Sequence, residues 1–197
     1  MDLQVFARHD IHGMAVPTAL TVQTTHSYLT DVTWARSVAS ENRRFYHYCA
    51  GARLAEAGLL TEAVREYEAA IRCEAHPEAS YFGLADALCR LGRPERAAAV
   101  LAEAAQRSPG DSAIEFQLGL THVLTGDMAG AAAAFKRCTE IRPRWARAWL
   151  DLGKANLKLH RYPEATAAYE RAFALAKPSP RDRADYDTAR RGAGRRL

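Results

Sequence analysis

The sequence predicts an all-α solenoid of stacked antiparallel helix pairs. Three observations predict it. A pattern of large, small and turn residues recurs every 34 residues through most of the chain. Within each period apolar residues fall three and four apart, as on one face of a helix. Glycine and proline then punctuate the periods at recurring places, where helices end and begin.

The period gives four consecutive units, 44–77, 78–111, 112–145 and 146–179. Counting each unit from 1, position 8 holds Gly51, Ala85, Gly119 and Gly153, and position 20 holds Ala63, Ala97, Ala131 and Ala165. Position 24 holds Tyr67, Leu101, Phe135 and Tyr169, and position 27 holds Ala70, Ala104, Cys138 and Ala172. Position 7 holds Ala50, Leu84, Leu118 and Leu152, and position 15 holds Gly58, Gly92, Gly126 and then His160. Each unit reads as a helix A over roughly positions 2–14 and a helix B over roughly 18–31. Small residues at 8 and 20 let the two helices approach closely, and the bulky residue at 24 fills the space beside them. The glycines at 15 end helix A, where a left-handed residue is favoured. Pro94 and Pro163 sit where helix B starts and a missing N–H does least harm. Pro109, Pro143 and Pro178 mark its end.

These columns closely resemble the tetratricopeptide repeat, whose pattern is a large residue at 4, Leu at 7, Gly or Ala at 8, Ala at 20, an aromatic at 24, Ala at 27 and Pro near 32. Trp149, Leu152 and Gly153 match best, and the resemblance covers about 136 of the 197 residues. It implies a right-handed superhelical array that works by binding polypeptides. The edges depart from the pattern. His47 stands at position 4 and Ala75 where Pro is usual, and in the fourth unit Lys177 takes position 32 with Pro178 one residue late. Terminal repeats are often atypical.

Residues 1–43 lie outside the repeat and are rich in Thr, Val and His. A helix near 27–41 is expected there, either capping the first unit or lying in the groove. At the other end, Ser179-Pro180 reads as a helix start, followed by a solvating helix over 180–191 and a basic tail. The net charge of +4 arises wholly in residues 177–197, with seven basic and three acidic side chains.

The resemblance places positions 2, 5, 9, 12 and 13 of helix A on a concave face. In this chain they include Phe45, Tyr48, Phe82, Asp86, Cys89, Arg90, Phe116, Leu120, Val123 and Leu124. In the fourth unit they are Arg147, Leu150, Lys154, Leu157 and Lys158. This face is apolar in the middle and basic at one end, which suits a partner segment that is apolar with an acidic end. Position 5 lacks the Lys, and positions 6 and 9 the Asn, of co-chaperones that clamp a terminal carboxylate, so that mode is not expected.

No catalytic constellation is present: no Ser/His/Asp set, no glycine-rich phosphate loop, no framed pair of carboxylates. His9 and His12 are too few to define a metal site, and no cofactor is implied. The cysteines at 49, 73, 89 and 138 form no CxxC pair and read as reduced, packed thiols. No apolar stretch spans a bilayer, and the N-terminus lacks a secretory pattern, which together suggest a cytoplasmic protein. Abundant Arg and Ala fit a GC-rich bacterial genome. The leading reading is a dedicated chaperone or adaptor. Its rivals are a self-associating scaffold for a membrane complex or organelle, and association of the basic tail with an anionic surface. Nucleic acid is disfavoured because no aromatics interleave Arg190, Arg191, Arg195 and Arg196.

Overall fold

The computed structural model describes residues 7–9, 15–17, 43–73 and 78–194. Nine helices follow one another among these residues: α1 (Arg43–Glu56), α2 (Leu60–Cys73), α3 (Glu78–Arg90), α4 (Pro94–Arg107), α5 (Ser112–Thr125), α6 (Met128–Ile141), α7 (Ala146–Lys158), α8 (Tyr162–Leu175) and α9 (Pro180–Gly194). Two three-residue strands, β1 (Ala7–His9) and β2 (Ala15–Pro17), pair antiparallel with Arg8 opposite Val16. The expected helix near 27–41 lies outside the described residues.

The eight helices α1 to α8 form four pairs. Odd-numbered members are the A helices and even-numbered members the B helices. Each begins about one residue earlier than the period suggests. Main-chain chemistry fixes the corners. Gly58, Gly92 and Gly126 adopt φ of 79°, 71° and 79°, and His160 adopts 56° at the same position. The left-handed turn thus survives at the fourth corner without glycine, at a steric cost that His bears better than a β-branched residue. Helices α5 and α6 start on acid caps. Asp111 accepts from the N–H of Ala113 at 2.7 Å, and Asp127 from that of Gly130 at 2.9 Å. Helices α4 and α8 lack such caps and carry a proline in their first two positions instead.

The pairs close on the small-residue columns. Ala63, Ala97, Ala131 and Ala165 are all 0% exposed. A Cβ at Gly119 would lie 2.5 Å from the Phe135 ring, and one at Gly153 would lie 3.1 Å from Tyr169. The ring at position 24 therefore fills the space that the glycine at position 8 leaves. Successive A helices touch, α1 with α3 and α3 with α5. Among the described residues no pair of successive B helices makes a comparable contact. Over α1 to α5 the A helices therefore lie on the inner side of the stack.

Helix α9 packs on both α7 and α8, the place a further A helix would take. Ser179 and Asp182 form a capping box at its start. The Ser179 hydroxyl donates to the Asp182 carboxylate at 2.6 Å and accepts from the Asp182 N–H at 3.2 Å. The helix does not stop at Gly192, as the sequence suggests, but runs to Gly194, with Ala189 fully buried against Ala165 and Tyr169. Its second half is thus part of the packed body rather than a solvated extension.

Candidate functional site

The inner face is built from the A helices. Tyr48, on α1, is half-buried, with its ring centroid 6.2 Å from that of Tyr67. Phe45 is also in α1, but its side chain lies outside those described. Phe82 is half-buried against two core clusters. Phe116 lies between Trp145 and Phe135, with ring centroids 4.5 and 5.6 Å away. The two phenylalanines at position 5 therefore serve packing as much as surface. Leu120, Leu150 and Leu157 are half-buried as well. The openly exposed apolar side chains of this face are Val123 at 40% and Leu124 at 65%, at the C-terminal end of α5.

The charged residues of the face are engaged. Asp86 pairs with Arg90 at 3.6 Å, and Arg90 also donates to the Ala55 carbonyl at 2.9 Å, in the last turn of α1. Cations are favoured at that end of a helix. Arg147 bonds Asp151 at 2.7 Å. Lys154 bridges Asp151 at 3.8 Å and Asp182 of α9 at 3.1 Å. The basic end is thus partly neutralised by two carboxylates, Asp151 and Asp182, that the concave-face positions did not include. Lys158 is exposed beside them. Of the tail arginines, Arg190 and Arg191 are exposed on α9, and Arg195 and Arg196 lie outside the described residues.

The outer face carries a second feature that reading helix A alone missed. Between α6 and α8 runs a furrow of about 950 Å³, its walls alternating alanines with charged side chains and its floor made by Trp149, Leu152 and Asn156 of α7. The Trp149 indole N–H donates to the Pro143 carbonyl at 2.8 Å, which fixes the floor. The available signal was Ala132 and Ala133 of the third unit and Ala167 and Ala168 of the fourth.

The chemistry of the buried groups is inert. Burial pushes the Tyr67 hydroxyl up to about 12. Burial, with the nearby Glu115 carboxylate, pushes the Cys138 thiol up to about 11, and its Sγ donates to the Ser112 carbonyl at 3.3 Å. Burial also raises the Cys89 thiol. Cys73, expected to be packed, is instead exposed at the end of α2. Brief iodoacetamide treatment of the native chain should therefore alkylate Cys73 first and spare Cys138 until unfolding, as read by peptide mass spectrometry. Early loss of the Cys138 thiol would contradict the packing described here.

Stacked helix pairs with small-residue columns and an inner A-helix face define a helical repeat scaffold. The tetratricopeptide repeat model matches residues 50–112, 82–144 and 116–180, well over half the chain. The chain belongs to the tetratricopeptide repeat family, and its coarse role is that of a protein-interaction scaffold. Solved structures share the fold. A crystal structure of MamA protein superposes with a TM-score of 0.69 at 18% identity, covering 78% of this chain and 84% of that one. A further MamA structure gives 0.65 at 22% identity, covering 79% and 85%. YrrB, whose structure is titled as that of a TPR protein with an unusual peptide-binding site, gives 0.60 at 19% identity, covering 87% and 85%. No curated protein matches the chain. Among the described residues no helix is long and apolar enough to cross a membrane.

Proposed function

We propose that this chain is a non-catalytic chaperone or adaptor that holds a segment of a partner polypeptide against its A helices. The observation that carries the reading is the exposed pair Val123 and Leu124 on α5, one turn beyond half-buried Leu120 on the same helix. Exposed apolar side chains grouped on one face mark interaction surfaces more often than scattered ones do. The partner segment is apolar, with an acidic portion toward Lys158. Three cations there, Arg147, Lys154 and Lys158, exceed the two carboxylates paired with them. YrrB, with its titled peptide-binding site, supports the same use of the fold. A single segment buries an area at the low end for specific interfaces, so micromolar affinity is expected.

The test compares two exposed leucines. A partner captured by the full chain is identified by mass spectrometry and titrated against Leu124→Glu and Leu175→Glu. Leu175 is 41% exposed at the end of α8, a B helix. Loss of about 2 kcal/mol of binding is expected for Leu124→Glu, by burial of an unpaired charge, and little for Leu175→Glu. The reverse order would remove the A-helix face from consideration. Asp86, Arg90 and the rings of Tyr48, Phe82 and Phe116 frame this site; Phe45 extends it in sequence only.

A further inference from the structure

We propose that the outer furrow between α6 and α8 is the docking site for a second copy of this chain, with the two α8 helices packed antiparallel about Ala167 and Ala168. The proposal is independent of the inner-face reading, since it uses the B helices. The furrow supplies shape: a helix laid between α6 and α8 meets small alanines and the Trp149 floor, with Arg161 at one end and Glu170, held by the Tyr186 hydroxyl at 3.2 Å, at the rim. Small residues there let a helix backbone approach closely. The charges identify the occupant.

Glu164 and Arg171 both line the furrow, with Ala167 and Ala168 midway between them. They are seven residues apart, about 10.5 Å along the helix. About the midpoint of Ala167 and Ala168 they are symmetric and opposite in sign. Two antiparallel copies of α8 related by a twofold axis therefore bring Glu164 of each opposite Arg171 of the other. An isologous contact requires such self-complementarity. The exposed Ala167 meets its counterpart at the crossing, beside Ala168 at 3% exposure, and each α8 enters the other's furrow, so ridge meets groove.

Other units lack this arrangement. The same positions hold Arg96 and Glu103 in the second unit, but both are engaged within the chain. Arg96 pairs with Glu68 at 3.7 Å, and Glu103 accepts from Tyr81 at 2.8 Å and pairs with Arg107 at 3.8 Å. On the facing wall Lys136 and Glu140 pair with each other at 3.9 Å. Glu164 and Arg171 are exposed, and among the described residues neither has an ion-pair partner.

The experiment is sedimentation equilibrium of the full chain over a wide concentration range, with a charge swap. The parent chain is expected to show a monomer–dimer equilibrium. Glu164→Arg alone, and Arg171→Glu alone, each set like charges opposite one another twice and should weaken the dimer at least about tenfold. Combining the two substitutions restores opposite charges across the axis and should return dimerisation toward that of the parent. Circular dichroism checks folding, because Glu164 also favours the start of α8; Arg171 sits mid-helix and carries the test free of that effect. A chain that stays monomeric throughout overturns the proposal. So does a dimer indifferent to Arg171→Glu, or a combined variant no better than the single ones.

Discussion

Replacing Gly119 with leucine is expected to destabilise the fold by about 3 kcal/mol or more. The added Cβ alone would lie 2.5 Å from the Phe135 ring. That ring has nowhere to retreat. It is 1% exposed, with Phe116 centred 5.6 Å away and the fully buried Ala131 on the same helix. Ala131→Phe should act alike, because the alanine at position 20 sits on the other side of the same contact and is 0% exposed. Gly194→Leu is the control, since a Cβ there meets nothing within 4 Å. Thermal melts followed by circular dichroism decide the matter. Equal melting of Gly119→Leu, Ala131→Phe and the parent would mean that the repeat is phased wrongly.

Ending the chain after Ser179 should cost a similar amount, about 3 kcal/mol, because it uncovers a core that α9 closes. Tyr169 and Ala165 are 0% exposed only with α9 in place, where they pack with Ala189 and Tyr186. The same cut removes the bond from Lys154 to Asp182. A shorter deletion of 189–197 should cost less, about 1 kcal/mol or more, since it takes Ala189 and the close contact of Gly192 with Tyr162. From the sequence, 180–191 reads as a solvating helix before a basic tail; the packing of Ala189 predicts a cooperative drop in melting temperature instead. An unchanged melt for both truncations would show that α9 does not cap the array. The docking of α9 is also acid-sensitive. The Ser179 hydroxyl, and then Lys154, hold the Asp182 carboxyl below its ordinary 3.8. The resulting stabilisation is complete above that value and is lost as pH falls through the lower folded one.

The repeat made the backbone legible because its columns are set by contacts that recur in every unit. Gly58, Gly92 and Gly126 announce the left-handed corners, and the glycine and alanine columns announce where helices touch. His160 shows the limit: its corner follows from register alone. The candidate site was less legible, because surface pairing depends on residues outside the recurring columns. Phe116 is covered by Trp145, which stands at the end of its own unit. Lys154 is held by Asp182, beyond the last unit altogether. Neither partner can be inferred from the column that Phe116 or Lys154 occupies. The outer furrow went unnoticed for a related reason. Its alanines, such as Ala133 and Ala167, stand outside the recurring columns at positions 20 and 27, and a small residue between columns carries no mark of the face it serves.

The Tyr67 ring has a further consequence. It rests against Gly51 of its own pair and against Gly83 of the next, where any Cβ would overlap it. One side chain therefore pins two units at once. The first pair cannot peel away while the second stays intact without stranding a large buried ring in water. Fraying from that end is thereby discouraged, and the first four helices should open as a single block. In a one-dimensional stack the coupling between neighbours is then uneven, set by where glycine happens to admit a shared ring.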